Sequence, residues 1–345
     1  MERRASQRFW THADHDRARP GLSGVQMNGD LRSVAFGRQT TAAPRPLHEV
    51  MSLVRDHIVR ELDRDGVHPL SDLPFTSLVN RYVTWRYRFI RPLPRTVRLS
   101  AEHQASDFGG LHPQVAAVLS EIESGIDLTA RLSKQVAMPL FPPTVEVRPS
   151  EPWQDGLLFD WGIHHLHLGL RNDANGGWAE RTNDLLFVMF TAESAFVLGV
   201  FPHQDSFDAK AVFDVMARNW PDEIPLLALL EGFSASSESP DDLRRKSRVA
   251  GIISGLQVDG KLFMPMGQTT AGTPLVAAYH TRCVAREIKR LVSAPEAASE
   301  EADRLLPRPR TSPWAATIID DRICLLADGE VIGLIDLCAQ WHDRG

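Results

Sequence analysis

The chain reads as an α+β protein, with a small twisted antiparallel sheet and helices at its centre, a helical region before it and a mixed region after it. Three observations carry this. Two segments, 47–64 and 75–90, space their apolar residues at helical intervals. Three runs between residues 162 and 201 have the length and composition of strands, and the last two are separated only by Ala192, Glu193 and Ser194. The dipeptides Asp259-Gly260 and Asp328-Gly329 each interrupt apolar runs, which is a hairpin signal.

Each element follows from its own pattern. Residues 1–46 show no sustained periodicity. They carry Arg3, Arg4, Arg8, Arg17, Arg19, Arg32, Arg38 and Arg45 against Glu2, Asp14, Asp16 and Asp30, so they read as a flexible, mildly basic tail. Val50, Leu53, Val54, Ile58 and Leu62 mark a helix that Gly66 and Pro69 end. Tyr82, Trp85 and Phe89 share one face of a second helix, with Arg81, Arg86, Arg88 and Arg91 interspersed. This basic, aromatic stripe reads as core packing with a solvated flank, and nucleic-acid contact is its functional alternative. The helical region is therefore 47–94.

A central domain follows over 95–221. Residues 95–102 alternate and suggest a short strand. Val115, Val118, Leu119 and Ile122 define one helical pattern, and Leu128 and Leu132 a second beyond Gly125. Pro139, Pro142, Pro143 and Pro152 make 137–155 a connection. Strands are expected at 162–170, 184–191 and 195–201, and a helix over 207–220. The remainder, 222–345, mixes a hairpin at Asp259-Gly260, a helix over 276–292, a linker over 294–313, and a terminal hairpin over 314–337 turning at Asp328-Gly329.

Composition narrows the function classes. The 345 residues are 43% hydrophobic and 24% charged, ordinary values for a globular protein. A net charge of −6 excludes a chain that is basic throughout, though not a local basic patch. Cys283, Cys324 and Cys338 form no CxxC pair, which points to a reducing compartment. No apolar stretch reaches the roughly 18 residues of a membrane span, and no apolar signal core follows the N-terminal arginines. The expectation is a soluble, cytoplasmic protein with no membrane partner. There is no GxGxxG, GxxxxGK[ST], GxSxG or HExxH motif.

The chemistry concentrates between Trp161 and His203. His164, His165 and His167 fall within four positions, and His203 closes an apolar run. Strand alternation places His165 and His167 on one face and His164 on the other. Imidazole titrates near neutral pH and also ligates metals. One reading is a divalent-metal site, for example zinc, on His165, His167 and His203, completed by Asp160, Asp184, Asp205 or a water. The other uses the same histidines without metal. RNA cleavage needs one group to take the 2′-hydroxyl proton, another to protonate the leaving oxygen, and a cation for the developing phosphorane charge. His165, His167 and His203 supply the first two, and the planar guanidinium of Arg181 suits the third, with Arg171 in reserve. His112, His280 and His342 have no local support and read as structural or surface residues.

The order of strand (95–102), two helices (113–136) and three sequential strands resembles the RelE/ParE-type toxin fold. In that family a basic segment leads into a strand of the RLVY type, and a hairpin returns to a strand ending in His or Tyr. Here Arg181 precedes DLLFVMF, and AFVLGVF ends at Pro202-His203. The stretch IHHLHLGL is similar to the family's first post-helical strand. The resemblance spans residues 95–205. Residues 1–94 and 206–345 have no counterpart in it, and the returning strand carries no basic residue between Asp184 and Phe201. It implies a twisted sheet with helices on one side and metal-independent ribonuclease action, with Arg181 stabilising phosphate and His203 as acid or base. RNA or the ribosome, and an inhibitory partner protein, would be the partners of such a toxin or defence protein. The alternatives are a metal-dependent hydrolase or oxygenase using the HxH strand, and a non-catalytic interaction protein of a phage or defence system.

Overall fold

A computed structural model describes residues 43–65, 67, 72–105, 111–137, 155–170, 177–203, 210–221, 228–229, 246, 255–259, 261–264, 267–269, 273–306 and 309–337. Strand β1 (Arg45–Pro46) leads through a 3-10 turn at Leu47–Glu49 into helix α1 (Val50–Arg64). The residues whose spacing marks its apolar face, Val50, Leu53, Val54, Ile58 and Leu62, are the ones it buries. Helix α2 (Phe75–Arg86) buries Leu78, Val79, Tyr82 and Trp85. It ends at Arg86, short of position 90, and Pro92 and Pro94 lie beyond it.

The central layer contains β2 (Thr96–Leu99), α3 (Ala101–Ala105), α4 (His112–Ser124), α5 (Gly156–Trp161), β3 (Ile163–His167), β4 (Asp184–Phe190), β5 (Ser194–Pro202) and α6 (Lys210–Asn219). The expected second helical pattern at Leu128 and Leu132 is two 3-10 turns, Thr129–Arg131 and Lys134–Ala137. The sheet order is β2-β5-β4-β3. The three sequential strands pair antiparallel, but β2 joins β5 in parallel, so the sheet is mixed.

Strand β4 is buried on both sides. Leu185, Phe187 and Met189 face one cluster, while Leu186, Val188 and Phe190 face the other. A strand covered on both faces reads as a continuous apolar run, and DLLFVMF is such a run. Helix α4 covers one face with Val115, Val118 and Ile122. Helix α6 covers the other with Val212, Phe213 and Met216. Helices therefore lie on both faces, where the toxin resemblance implied one.

Register shifts at one point. Phe187 pairs with Gly199 and Val188 with Val197, so Leu198 is an extra residue on β5. Gly199 has φ +152°, and a Cβ there would lie 3.1 Å from the Phe201 ring. The bulge resets the alternation of β5, so that Phe201 packs with the Phe187 face and Val200 with the Val188 face.

A small sheet follows, β6 (Ala228–Leu229), β7 (Leu256–Val258) and β8 (Lys261–Met264), ordered β6-β8-β7. Its hairpin turns after Val258, with Asp259 in the left-handed region at φ +48°. Leu256, Val258 and Phe263 pack on the α6 face of the central sheet.

The chain ends with α7 (Leu275–Ser293), α8 (Pro295–Asp303), β9 (Ala315–Ile319), β10 (Arg322–Ala327) and β11 (Glu330–Asp336). Two expectations change here. The segment 294–313 contains a helix: α8 starts on a proline at its first turn and buries only Ala298 and Ala302, which leaves no large apolar stripe to read. The terminal segment is three strands, because a second turn lies at Asp320-Asp321, with φ of +48° and +63°. Aspartate tolerates this conformation, so the turn needs no glycine to signal it.

Residues 47–85 and the final strands share one core. Leu53, Ile58, Leu78 and Trp85 pack with Val284, Ile288, Ile318, Ile323 and Leu325, over the sheet β1-β9-β10-β11. Residues far apart in the chain thus form a single layer. Within it, Asp321 accepts hydrogen bonds from His57 Nε2 (2.8 Å), from the Tyr82 hydroxyl and from Arg86 Nη2 (2.7 Å). Helix α5 joins the two bodies: Leu158 and Phe159 enter this core, and Leu157 and Trp161 enter that of the central sheet.

Three arginines of the basic, aromatic stripe at the end of α2 and just beyond it bond within the fold. Arg86 binds Asp321, Arg88 donates to the Gln135 carbonyl, and Arg91 pairs with Asp336. Of the expected tail only residues 43–46 fall among those described, and 45–46 form β1. Among the described residues, no helix is long and apolar enough to cross a membrane.

Candidate functional site

The site is assembled around β3, the outer strand of the central sheet. Asp155 caps α5: its Oδ1 accepts the N–H groups of Leu157 and Leu158, both at 3.1 Å. Gly162, at φ +69°, ends the helix in the left-handed conformation and turns the chain directly into β3. That turn brings Oδ2 of Asp155 to 3.1 Å from Nδ1 of His165, a charge contact lying off the axis of a straight hydrogen bond.

His164, His165 and His167 are all buried. Alternation sends them where the pattern predicts. The His164 ring meets Phe190 edge-on, with centroids 5.7 Å apart. On the opposite face the His165 ring lies 6.3 Å from Phe187, and His167 is in register with Leu185. His203 arrives from β5, and its N–H donates to the Asn183 carbonyl at 2.6 Å. Its ring stacks on His167, with centroids 6.3 Å apart and planes 25° apart. The histidines at 165, 167 and 203 are therefore brought together, and His164 is not among them.

The end of β3 is pinned by groups the sequence does not advertise. Arg131 donates from Nη1 to the carbonyls of His167 and Gly169, both at 3.1 Å, and is itself gripped by the Glu121 carboxylate. Thr182 accepts the Leu168 N–H at 3.1 Å and donates to the Asp184 carbonyl at 2.6 Å. These bonds fix the segment that carries Arg181 beside β3.

Electrostatics ties the set together. Burial pushes the His167 imidazole down to about 4, assisted by the positive charges of Arg181, His165 and His203. His203 is also lowered, first by partial burial and then by His165 and Arg181. The Asp155 carboxyl is lowered overall: burial opposes this, but the close approach of His165, the Leu158 N–H and the charge of His164 outweigh it. His167 is only 2% exposed, and neither of its ring nitrogens has a hydrogen-bond partner among the described residues. At neutral pH it is an uncharged imidazole set behind an exposed one, His203, with the exposed Arg181 beside them.

For a metal, His165, His167 and His203 are the candidate ligands. Among the described residues, no group of three or more His, Cys, Asp or Glu is arranged to hold one. Asp160 is buried in α5, and Asp184 opens β4. Arg171 and Asp205 lie outside the described residues. So does His342, while His112 is exposed at the start of α4 and His280 donates to the Asp336 carbonyl at 2.7 Å.

Asp155 is the residue that sequence reasoning missed. The available signal was an aspartate immediately before the short apolar run GLLFDWG, the pattern of a helix N-cap. No family model, curated protein or solved structure matches the chain. The resemblance to RelE/ParE-type toxins therefore rests on its short motifs within residues 95–205.

Proposed function

We propose that this chain is a metal-independent ribonuclease that cleaves by histidine acid–base chemistry. The observation that carries the reading is the gathering of His165, His167 and His203 with Arg181 within Coulomb range, on one face and rim of the central sheet. A lowered pKa keeps His203 unprotonated at neutral pH, the state a general base needs. His203 takes the proton of an RNA 2′-hydroxyl, whose oxygen attacks the adjacent phosphorus. The bond from phosphorus to the 5′-oxygen breaks, and that oxygen takes a proton from His165, whose ring faces the Asp155 carboxylate. The products are a 2′,3′-cyclic phosphate and a 5′-hydroxyl, one proton having moved onto His203 and one off His165. Arg181 meets the non-bridging oxygens and balances the charge that builds there. His167, neutral and stacked on His203, holds the plane of that ring.

The test is cleavage of a mixed-sequence RNA by the full chain in excess EDTA, with His203→Ala alongside. Cleavage by the wild type and its loss in the variant support the reading. Cleavage that appears only with added zinc or manganese points to metal catalysis, and no cleavage under either condition leaves the interaction role as the better account.

A further inference from the structure

We propose that Asp155 is a positioning residue of this site, acting through His165 to set which ring nitrogen carries the proton. The inference deepens the ribonuclease reading and rests on it for its catalytic consequence, though not for its geometry. One carboxylate oxygen of Asp155 is immobilised by two backbone N–H groups at the start of α5, each at 3.1 Å. The other lies 3.1 Å from Nδ1 of His165. A helix cap is thus also the anion facing a candidate acid, and only Gly162 separates the helix from the strand that carries the histidine. A carboxylate at Nδ1 favours the tautomer with its proton there and its lone pair on Nε2, and it stabilises the imidazolium once Nε2 is protonated.

The charges around this pair come from every neighbouring element. His164 and His167 lie on β3, His203 follows β5, and Arg181 precedes β4. Tyr87 and Arg88, just past α2, lie within the field of Asp155. Of these charged groups, Asp155 is the anion in contact with the His165 ring.

The experiment is nitrogen-15 NMR of the histidine rings in the full chain, comparing wild type with Asp155→Asn and Asp155→Ser. Both replacements remain good helix caps, so they remove the charge and leave the cap. The wild type should show His165 as the Nδ1–H tautomer. In both variants the Nε2–H tautomer of His165 should gain population, with the melting temperature unchanged within about 2 °C. RNA cleavage should fall by on the order of 10- to 1,000-fold, in kcat rather than KM. An Nε2–H tautomer in the wild type, or an unchanged tautomer in folded variants, overturns the proposal and leaves Asp155 a cap alone. A wild type that cleaves no RNA while the tautomer changes in the variants refutes the ribonuclease reading and keeps the pairing.

Discussion

Asp321→Asn isolates the charge at the buried turn between β9 and β10. Asparagine tolerates the left-handed backbone at φ +63° as aspartate does, so the substitution adds little strain. Oδ1 accepts from His57 and Tyr82, and Oδ2 accepts from Arg86. The amide keeps one oxygen for His57 and Tyr82, at about half the strength of charge-assisted bonds, a loss of about 1 kcal/mol each. Its NH2 group then faces the Arg86 guanidinium, donor against donor. That side chain is 29% exposed and recovers water, so this loss is also about 1 kcal/mol. The total of about 3 kcal/mol lowers the melting temperature of a 345-residue chain by roughly 4 °C.

Acid supplies a second check on the same variant. Burial alone would raise the Asp321 carboxyl, but hydrogen bonds from His57 and Tyr82 and the charge of Arg86 hold it far below the ordinary range. A depressed carboxyl contributes its stability fully above its unfolded value, about 3.9, and loses it as pH falls below that. The gap between wild type and variant should therefore be constant from pH 5 to 7 and shrink below about pH 4. Differential scanning calorimetry across this range measures it, with hydrogen exchange in α1 and α2 to confirm that the effect lies in that body. A melting temperature within about 2 °C of wild type at pH 7, or a gap that widens in acid, refutes the argument.

Three further outcomes are expected. His167 takes up its proton in the unfolded chain near 6.5 but in the folded one only near 4. Between those values the unfolded state binds more protons, so stability should fall by roughly 2–4 kcal/mol as pH drops from 6.5 to 4, and His167→Gln should flatten that slope in urea titrations. Arg131→Met leaves the carbonyls of His167 and Gly169 without their donor and Glu121 without its partner. It should cost about 2–4 kcal/mol and speed amide exchange along β3, measured by mass spectrometry. Arg181→Gln, at an exposed position, should leave the melting temperature within about 1 °C while lowering RNA cleavage by on the order of 100-fold, read from initial rates in EDTA.

The sequence alone determined what depends on near neighbours in the chain. The apolar faces of α1 and α4, the β4–β5 hairpin with its three-residue connection, and the sharing of one strand face by His165 and His167 all follow from periods of 3.6 and 2.0. Tertiary structure decided what depends on distant partners. Parallel pairing of β2 with β5 joins segments about a hundred residues apart, and no local pattern encodes it. Helix α8 is stabilised by packing two alanines, a signal too small to read by periodicity. The turn at Asp320-Asp321 is held by donors from α1 and α2, more than 200 positions away. The stacking of His203 on His167 depends on how β5 crosses β4, and the approach of Asp155 to His165 depends on the left-handed turn at Gly162. Residue identity supplied the chemistry available to this site. Its arrangement came from non-local packing, because side chains acquire shared electrostatics only when the fold places them within a few ångströms in a medium that screens poorly.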